Sequence, residues 1–344
     1  MSIPLQNRRI MLVGGAGFIG HNLALHLKAR GADVCIVDGL EVNNLISLMA
    51  NTDNVPHPDL SLAIIDERMR LLRNAGVTLF VQDAREYHAL SRLIHDVKPQ
   101  TLIHLAAVSH ANRSNKTPYH TFDHSLRTLE NALDGAREHA EHFIYLSSSM
   151  VYGDFKTGVV DEETYCEPKG IYGALKFSGE KIVMAYNQVF DLPYTIIRPS
   201  ALYGERCISR RVSQIFIENA LMGEDITING DGSDALDFTY IQDFVEGVIG
   251  AIQTPAARNQ IFNLTYGAAQ PINQMVSILR DYFPDVGVIL KEKDALMPDR
   301  GTLSVDKARR LMGYDPKWSL IEGFPRYIEW YKAFFEEHGS KFQR

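Results

Sequence analysis

The chain is poor in cysteine: only Cys35, Cys166 and Cys207 among 344 residues. They are odd in number, far apart and never in a C-x-x-C pair, which argues against a disulfide framework and a thiolate zinc site. The twelve histidines show no H-E-x-x-H spacing, so no metal is expected. No long basic run stands out, and the formal net charge is -7; a broad cationic surface for nucleic acid is therefore not expected. No stretch reaches the ~18 uninterrupted apolar residues of a membrane-crossing helix, and no apolar signal core precedes Arg8 and Arg9. Internal repeats and low-complexity segments are also missing. These absences together point to a cytoplasmic globular protein with neither membrane nor nucleic acid as partner.

What is present is a rhythm. Residues 9–14 (RIMLVG) read as a buried strand ending in a glycine-rich turn, followed by a helical pattern on Phe18, Ile19, Leu23 and Leu27, closed by Gly31. A second apolar run, Val34 to Val37, ends at Asp38. Strand patterns recur at 77–81, 101–105, 143–147 and 194–198, with helical ones at 86–97, 119–139 and 171–190. Strands without polar alternation, separated by helices, predict an α/β fold with a doubly wound parallel sheet. After Arg198 the rhythm loosens: helical patterns at 209–222, 241–253, 271–282, 304–312 and 319–338 alternate with short strands at 226–229 and 261–264. A chain of this length exceeds one ordinary core.

The connection over residues 40–76 is long. It holds Pro56 and Pro58 and an apolar helical pattern from Leu60 to Leu72, so it reads as an inserted helical excursion rather than a structureless loop. It either shapes the cofactor or substrate entrance or is an inert elaboration.

Gly14, Gly17 and Gly20 form G-x-x-G-x-x-G at a strand–helix junction. Glycine there permits a tight turn and close approach of a pyrophosphate, which the amides of the helix N-terminus then face. Asp38 ends the second strand eighteen residues after Gly20. It can accept from both adenosine ribose hydroxyls and would repel a 2′-phosphate, which favours NAD over NADP. Asp83, ending the third strand, is placed to reach the adenine edge.

Ser147, Ser148 and Ser149 end the fifth strand, and Tyr172 and Lys176 follow at a spacing of four. On a helix that spacing puts both side chains on one face. A free tyrosine, with a pKa near ~10, is a poor base at neutral pH. A neighbouring ammonium and the positive nicotinamide ring both stabilise its phenolate. Tyr172 can then take a proton from a substrate hydroxyl while hydride leaves the adjacent carbon, with a strand-end serine sharing that hydroxyl's hydrogen bonds.

At these residues the chain resembles the extended short-chain dehydrogenases/reductases, within them the NAD-dependent sugar-nucleotide epimerase/dehydratase branch. The resemblance runs through GGAGFIG (14–20), HLAAVSH (104–110), LSSSMVYG (146–153), YGALK (172–176), RPSALYGER (198–206), GDGSDALDFTYIQD (230–243) and KARRLMGY (307–314). It implies a Rossmann domain for NAD over residues 1–200, with 237–265 returning to it, and a smaller C-terminal α/β substrate domain from 201–236 and 266–344. It extends the NAD contacts to Phe18, Ile19, Ala84, Leu105, Ala106, Ala107, Tyr172 and Lys176, and places the catalytic hydroxyl on Ser148 beside Tyr172 and Lys176. Ser148 and Ser149 are then also expected at the substrate.

The resemblance further implies a reaction. Dehydratases of that branch carry Asp-Glu between the catalytic hydroxyl and the valine; here Ser149 and Met150 stand there. Neither is a strong acid or base. What remains is epimerisation at C4 of a nucleotide-linked sugar through a transient 4-keto intermediate, UDP-sugar 4-epimerase-like. A dehydrogenase or 4-ketoreductase, or a non-catalytic NAD-binding protein, are the alternatives. Two departures touch diphosphate binding: Leu236 replaces the usual arginine and Ala201 the usual asparagine. Arg206, Arg210, Arg211 and Arg300 are the arginines left to take that role, since the guanidinium fork matches phosphate. Relatives dimerise through the helices corresponding to 119–139 and 171–190, so a homodimer is expected.

Overall fold

The computed structural model describes residues 2–42, 44–50, 55–108, 111–293 and 296–338, with the side chains of 111–113 outside the description. Ser109 and His110 of the 104–110 motif therefore lie outside the described residues, as do the chain ends.

Seven strands build the main sheet: β1 (Arg9–Val13), β2 (Asp33–Asp38), β3 (Thr78–Val81), β4 (Thr101–His104), β5 (His142–Leu146), β6 (Tyr194–Arg198) and β7 (Gln260–Asn263). Their order is β3-β2-β1-β4-β5-β6-β7, and every pairing is parallel. Strands β4, β5 and β6 are buried along their whole length, the consequence of helices on both faces and the reason those runs lack polar alternation. The strand order reverses between β1 and β4, and ligand crevices of open α/β sheets form at that point, beyond the carboxyl ends of the strands.

The flanking helices are α1 (Phe18–Ala29), α2 (Pro58–Asn74), α3 (Tyr87–Val97), α4 (Thr128–Ala136), α5 (Gly170–Phe190), α6 (Val212–Leu221), α7 (Ile241–Gln253) and α8 (Leu320–His338). The 40–76 connection folds as a short helix, Leu45–Met49, and then α2, which opens on Pro58. Proline suits a first turn because the amide it lacks has no helical partner there.

The stretch over 119–139 is helical without interruption from Pro118 to Ala136, but not α-helical throughout. It is Pro118–Phe122, a π-helical turn at Asp123–Arg127, and α4, which ends at Ala136. A π turn takes up an extra residue and re-aims the next helical turns. Here His124 and Thr128 both come to line one cavity.

Two-residue strands, too short to carry a periodic signal, tie the later segments together. Leu202–Tyr203 pairs with Thr239–Tyr240, Val159–Val160 with Thr302–Leu303, and Ala235–Leu236 with Gln270–Pro271. Ile226–Asn229 pairs in parallel with Val288–Lys291. Among the described residues no helix is long and apolar enough to cross a membrane.

Candidate active site

Two cavities open over the carboxyl ends of the sheet. One, of about 160 Å³, is bounded by the glycine turn, the ends of β2, β3 and β4, and α4. The other, of about 350 Å³, lies between the β5–β6 ends, α5 and the segments after Arg198. Ile19, Leu105, Ala107, Leu202 and Arg211 line both, so the cavities meet.

The three glycines differ in kind. Gly14 has φ +79°, and a Cβ there would come within 2.6 Å of the Ala106 nitrogen. A Cβ on Gly20 would strike the Gly15 backbone. Both close the turn against the protein. Gly17 instead faces open space: its nearest neighbour would be the Gly14 carbonyl at 3.7 Å. A side chain there would project into the smaller cavity, where the start of α1 presents amides to an anion. That cradle fits a dinucleotide pyrophosphate.

Asp38 lines the same cavity. Its carboxylate accepts from the Ala16 amide at 2.9 Å and the Leu40 amide at 2.8 Å, which fixes its orientation while leaving a lone pair on each oxygen. Burial pushes its pKa up, and these two hydrogen bonds oppose the rise. Asp83 and Ala84 are lining residues too, but the Asp83 carboxylate is already held by Arg85, with contacts of 2.8 and 3.0 Å from Nε. Against burial, those bonds keep its pKa below the usual carboxylate range. Phe18, Ile19, Leu105, Ala106 and Ala107 complete the lining.

Ser148, Tyr172 and Lys176 all line the larger cavity. Helix α5 supplies the last two one turn apart, with Glu180 a further turn on. Lys176 is buried, and its ammonium donates to the Leu146 carbonyl at 2.6 Å, at the end of β5. Burial pushes its pKa down to about 8, with the Glu180 charge pulling the other way. His104 lies beside it; burial first, then the Lys176 charge, drive the imidazole down to about 3 and leave it neutral.

The three serines separate cleanly. Ser147 donates to Glu180 at 2.5 Å. Glu180 is fully buried and accepts two bonds from Arg198, at 2.9 and 2.7 Å, and Arg198 also donates to Tyr152 at 2.9 Å. Ser147 is thus committed to a structural network. Ser148 accepts from the Met150 amide at 3.2 Å, leaving its proton available to a ligand. Ser149 also lines the cavity, its amide bonded to the Pro199 carbonyl at 2.9 Å. Glu180, Arg198 and His104 escaped sequence reasoning, although Glu180 lies eight residues after Tyr172 on the same helical face.

The arginines divide as well. Arg211 and Arg300 line the larger cavity, and their guanidinium groups have no hydrogen-bond or ion-pair partner among the described residues. Burial and the neighbouring Arg211 charge lower Arg300 to about 10, so it stays cationic near neutrality. Arg210 lines it too, its guanidinium 3.9 Å from Glu218. Lys293, a further lining cation, is neutralised by Asp234 at 2.7 Å and Asp299 at 2.8 Å. Arg206 corrects the expectation: it lines neither cavity, and its guanidinium turns to His21 at 3.1 Å and Asn22 at 3.2 Å on α1. Glu67 on the inserted helix lies 3.7 Å from it as well. Leu236 and Ala201 do line the larger cavity, so the two departures sit at the site.

A reversed-order parallel sheet, a glycine cradle open toward a cavity and a Ser–Tyr–Lys group at its inner end define a dinucleotide-dependent enzyme of the short-chain dehydrogenase/reductase type. The chain belongs to the NAD dependent epimerase/dehydratase family, whose model matches residues 10–265. It is 28% identical to a protein of Bacillus subtilis (strain 168) named as an uncharacterised UDP-glucose epimerase, YtcB, over 95% of this chain and 99% of that one. It is 26% identical to UDP-glucuronate 4-epimerase 2 of Arabidopsis thaliana, over 96% of this chain and 77% of that one. The fold is that of UDP-glucose 4-epimerase from Thermotoga maritima, solved with UDP-glucose, with TM-score 0.83 at 24% identity over 94% and 98% of the two chains. The Bacillus cereus UDP-glucuronic acid 4-epimerase, solved with UDP-glucuronic acid and NAD, gives TM-score 0.83 at 24% identity over 94% and 99%.

Proposed function

We propose that the chain interconverts the C4 epimers of a UDP-linked sugar, with Tyr172 as acid/base. One observation carries this: among the described residues lining the larger cavity, the titratable side chains other than arginine are Tyr172, Lys176, Asp234 and Lys293, and the last two are paired with each other at 2.7 Å. Ser149 and Met150 stand where a dehydratase needs its second acid and base. A single phenol serves a reaction that removes one proton and returns it.

NAD, when bound, supplies the hydride acceptor and donor; Gly14, Gly17, Phe18, Ile19, Gly20 and Asp38 hold its adenosine diphosphate half in this reading. Tyr172 takes the proton of the C4 hydroxyl while Ser148 donates to the same oxygen. Lys176, held by the Leu146 carbonyl, supplies a positive charge one helical turn from the phenol. The sugar ring must turn between the two halves of the reaction. The cavity of about 350 Å³, with the small residues Ala107, Ser149, Ser200 and Ala201 in its lining, is the space proposed for that rotation. Arg211 and Arg300 match the two charges of the diphosphate in place of the arginine missing at Leu236. Residues 201–236 and 266–344 form the substrate-holding part. A homodimer in the cytoplasm completes the proposal, supported by exposed apolar side chains on α5 (Ile171, Val189, Phe190) and on the preceding short helix (Tyr119, Phe122).

The test is a panel of UDP-hexoses and UDP-hexuronates labelled with deuterium at C4. The expected result is a C4 epimer that retains the label with no net NADH. Stoichiometric NADH formation, or its consumption by a 4-keto sugar, would replace the epimerase by a dehydrogenase or reductase. Tyr172→Phe is expected to lose at least about 100-fold in turnover while still retaining NAD; unchanged turnover would remove the assigned base.

A further inference from the structure

The inserted helix α2 carries a cation where its pattern calls for an apolar residue. Leu60, Ile64 and Leu72 lie in the core at four-residue spacing, and Arg68 fills the missing position of that stripe, fully buried. Among the described residues no carboxylate pairs with it, and its Nη1 has no partner. What holds it is the main-chain carbonyl of Arg206: Arg68 Nε donates at 2.9 Å, and Nη2 donates to the same oxygen. A guanidinium buried this deeply needs a strong reason to be there.

The segment it grips is a conformationally costly one. Arg206 has φ +64° and Arg210 φ +52°, left-handed values that non-glycine residues adopt only when their surroundings impose them. Both are pinned. The Arg206 guanidinium reaches His21 and Asn22 on α1 and lies 3.7 Å from Glu67 on α2. His21 uses its other nitrogen on the Gly17 carbonyl at 2.9 Å, so the nitrogen facing Arg206 is the acceptor. The Arg210 amide donates to Gln214 at 2.7 Å. Ser209, between the two left-handed residues, lines the smaller cavity, and Arg211, just past them, lines both.

We propose that Arg68 is a positioning residue: through the Arg206 carbonyl, helix α2 clamps the 206–210 turn and aims Arg211 at the junction of the cavities, toward the diphosphate of the nucleotide substrate. The inference rests on the nucleotide-sugar reading above. The clamp also gives the 40–76 insertion a role at the site rather than that of an inert elaboration.

The probe is UDP, which carries the diphosphate and needs no turnover. In Arg68→Met the affinity for UDP is expected to fall about tenfold, and KM for the sugar nucleotide to rise alike, with kcat held within about threefold. Arg68→Lys, which can still donate one bond to the carbonyl, should recover part of the loss. In an Arg211→Met background, Arg68→Met should add less than about twofold, because both substitutions act through one guanidinium. Unchanged UDP affinity in folded Arg68→Met, or an equal loss in both backgrounds, overturns the clamp while leaving the epimerase reading intact. If Arg68→Met does not fold, Arg68→Lys decides: UDP binding weakened about two- to fivefold supports the clamp, and wild-type affinity overturns it. A wild-type protein that turns over no UDP-sugar and binds no UDP overturns both readings together.

Discussion

Lys176 is a buried ammonium with one hydrogen-bond acceptor, the Leu146 carbonyl at 2.6 Å, and its lowered pKa has two consequences of known sign. Burial brings it to about 8. Above that pH the ammonium is lost, and with it the positive charge one helical turn from Tyr172. Turnover is expected to fall by up to about tenfold per pH unit beyond the break. Lys176→Met should abolish the break and cut turnover by about 100-fold or more; an intact alkaline limb in that variant assigns the break elsewhere. The second consequence concerns stability. Between about 8 and the ordinary lysine value of 10.5, the unfolded chain holds this proton and the folded one does not. Stability contributed by this group therefore rises with pH through that window, and is penalised below it. Urea denaturation near pH 7.5 and pH 9.5 should show the rise in the wild type and a flatter profile in Lys176→Met. The same residue was legible in the sequence as the partner of Tyr172. Its partner carbonyl and the neutral His104 beside it were not, because contacts across β4 and β5 join residues distant in the chain.

Helix α5 shows how one element holds the catalytic face, and how a propensity argument fails there. Gly173 and Gly179 lie inside the helix, where glycine costs about 1 kcal/mol relative to alanine. Packing requires them. A Cβ on Gly173 would lie 2.7 Å from the Met150 carbonyl, and one on Gly179 would strike the Tyr145 hydroxyl. Gly173→Ala should therefore destabilise by roughly 1–3 kcal/mol, despite its better helix propensity. Because Gly173 adjoins Tyr172, the displaced helix should also lose about tenfold in turnover. A more stable variant with full turnover would show that α5 and the 149–151 turn are not in tight contact. The sequence announced this helix and the alternating strands because local periodicity is dense there. It missed the π turn at 123–127 and misplaced Arg206. A π turn is one surplus residue in an otherwise helical pattern, and Arg206 looks like any phosphate-binding arginine until His21 and Asn22 are seen to hold it. Arg68 did leave a trace, as the one cation in the stripe Leu60, Ile64 and Leu72.

At the scale of the whole molecule, the smaller cavity lies where the strand order turns from β1 to β4, and the larger one, with Ser148, Tyr172 and Lys176, lies beside it at the ends of β5 and β6. A second copy would meet this chain at its surface. What it has to cover is apolar surface: Tyr119 is 81% and Val189 69% exposed, with Phe122, Ile171 and Phe190 also open on the same pair of packed elements. Exposed aromatic and branched side chains of this kind suit a protein–protein surface. The protein should sediment at twice its 38.7 kDa chain mass. Replacing Tyr119 and Val189 by glutamate places two charges in the expected interface, where an unpaired buried charge is strongly unfavourable, and should give the single-chain mass. Turnover per chain should stay within about twofold, since the residues assigned to catalysis, Ser148, Tyr172 and Lys176, all lie on one copy, while the separated chains lose the stability that association adds. A wild-type protein that sediments at 38.7 kDa at micromolar concentration would mean that these side chains are simply exposed. A double variant that dissociates and also loses its turnover would mean that the partner shapes the site after all, through the end of α5 that carries Tyr172.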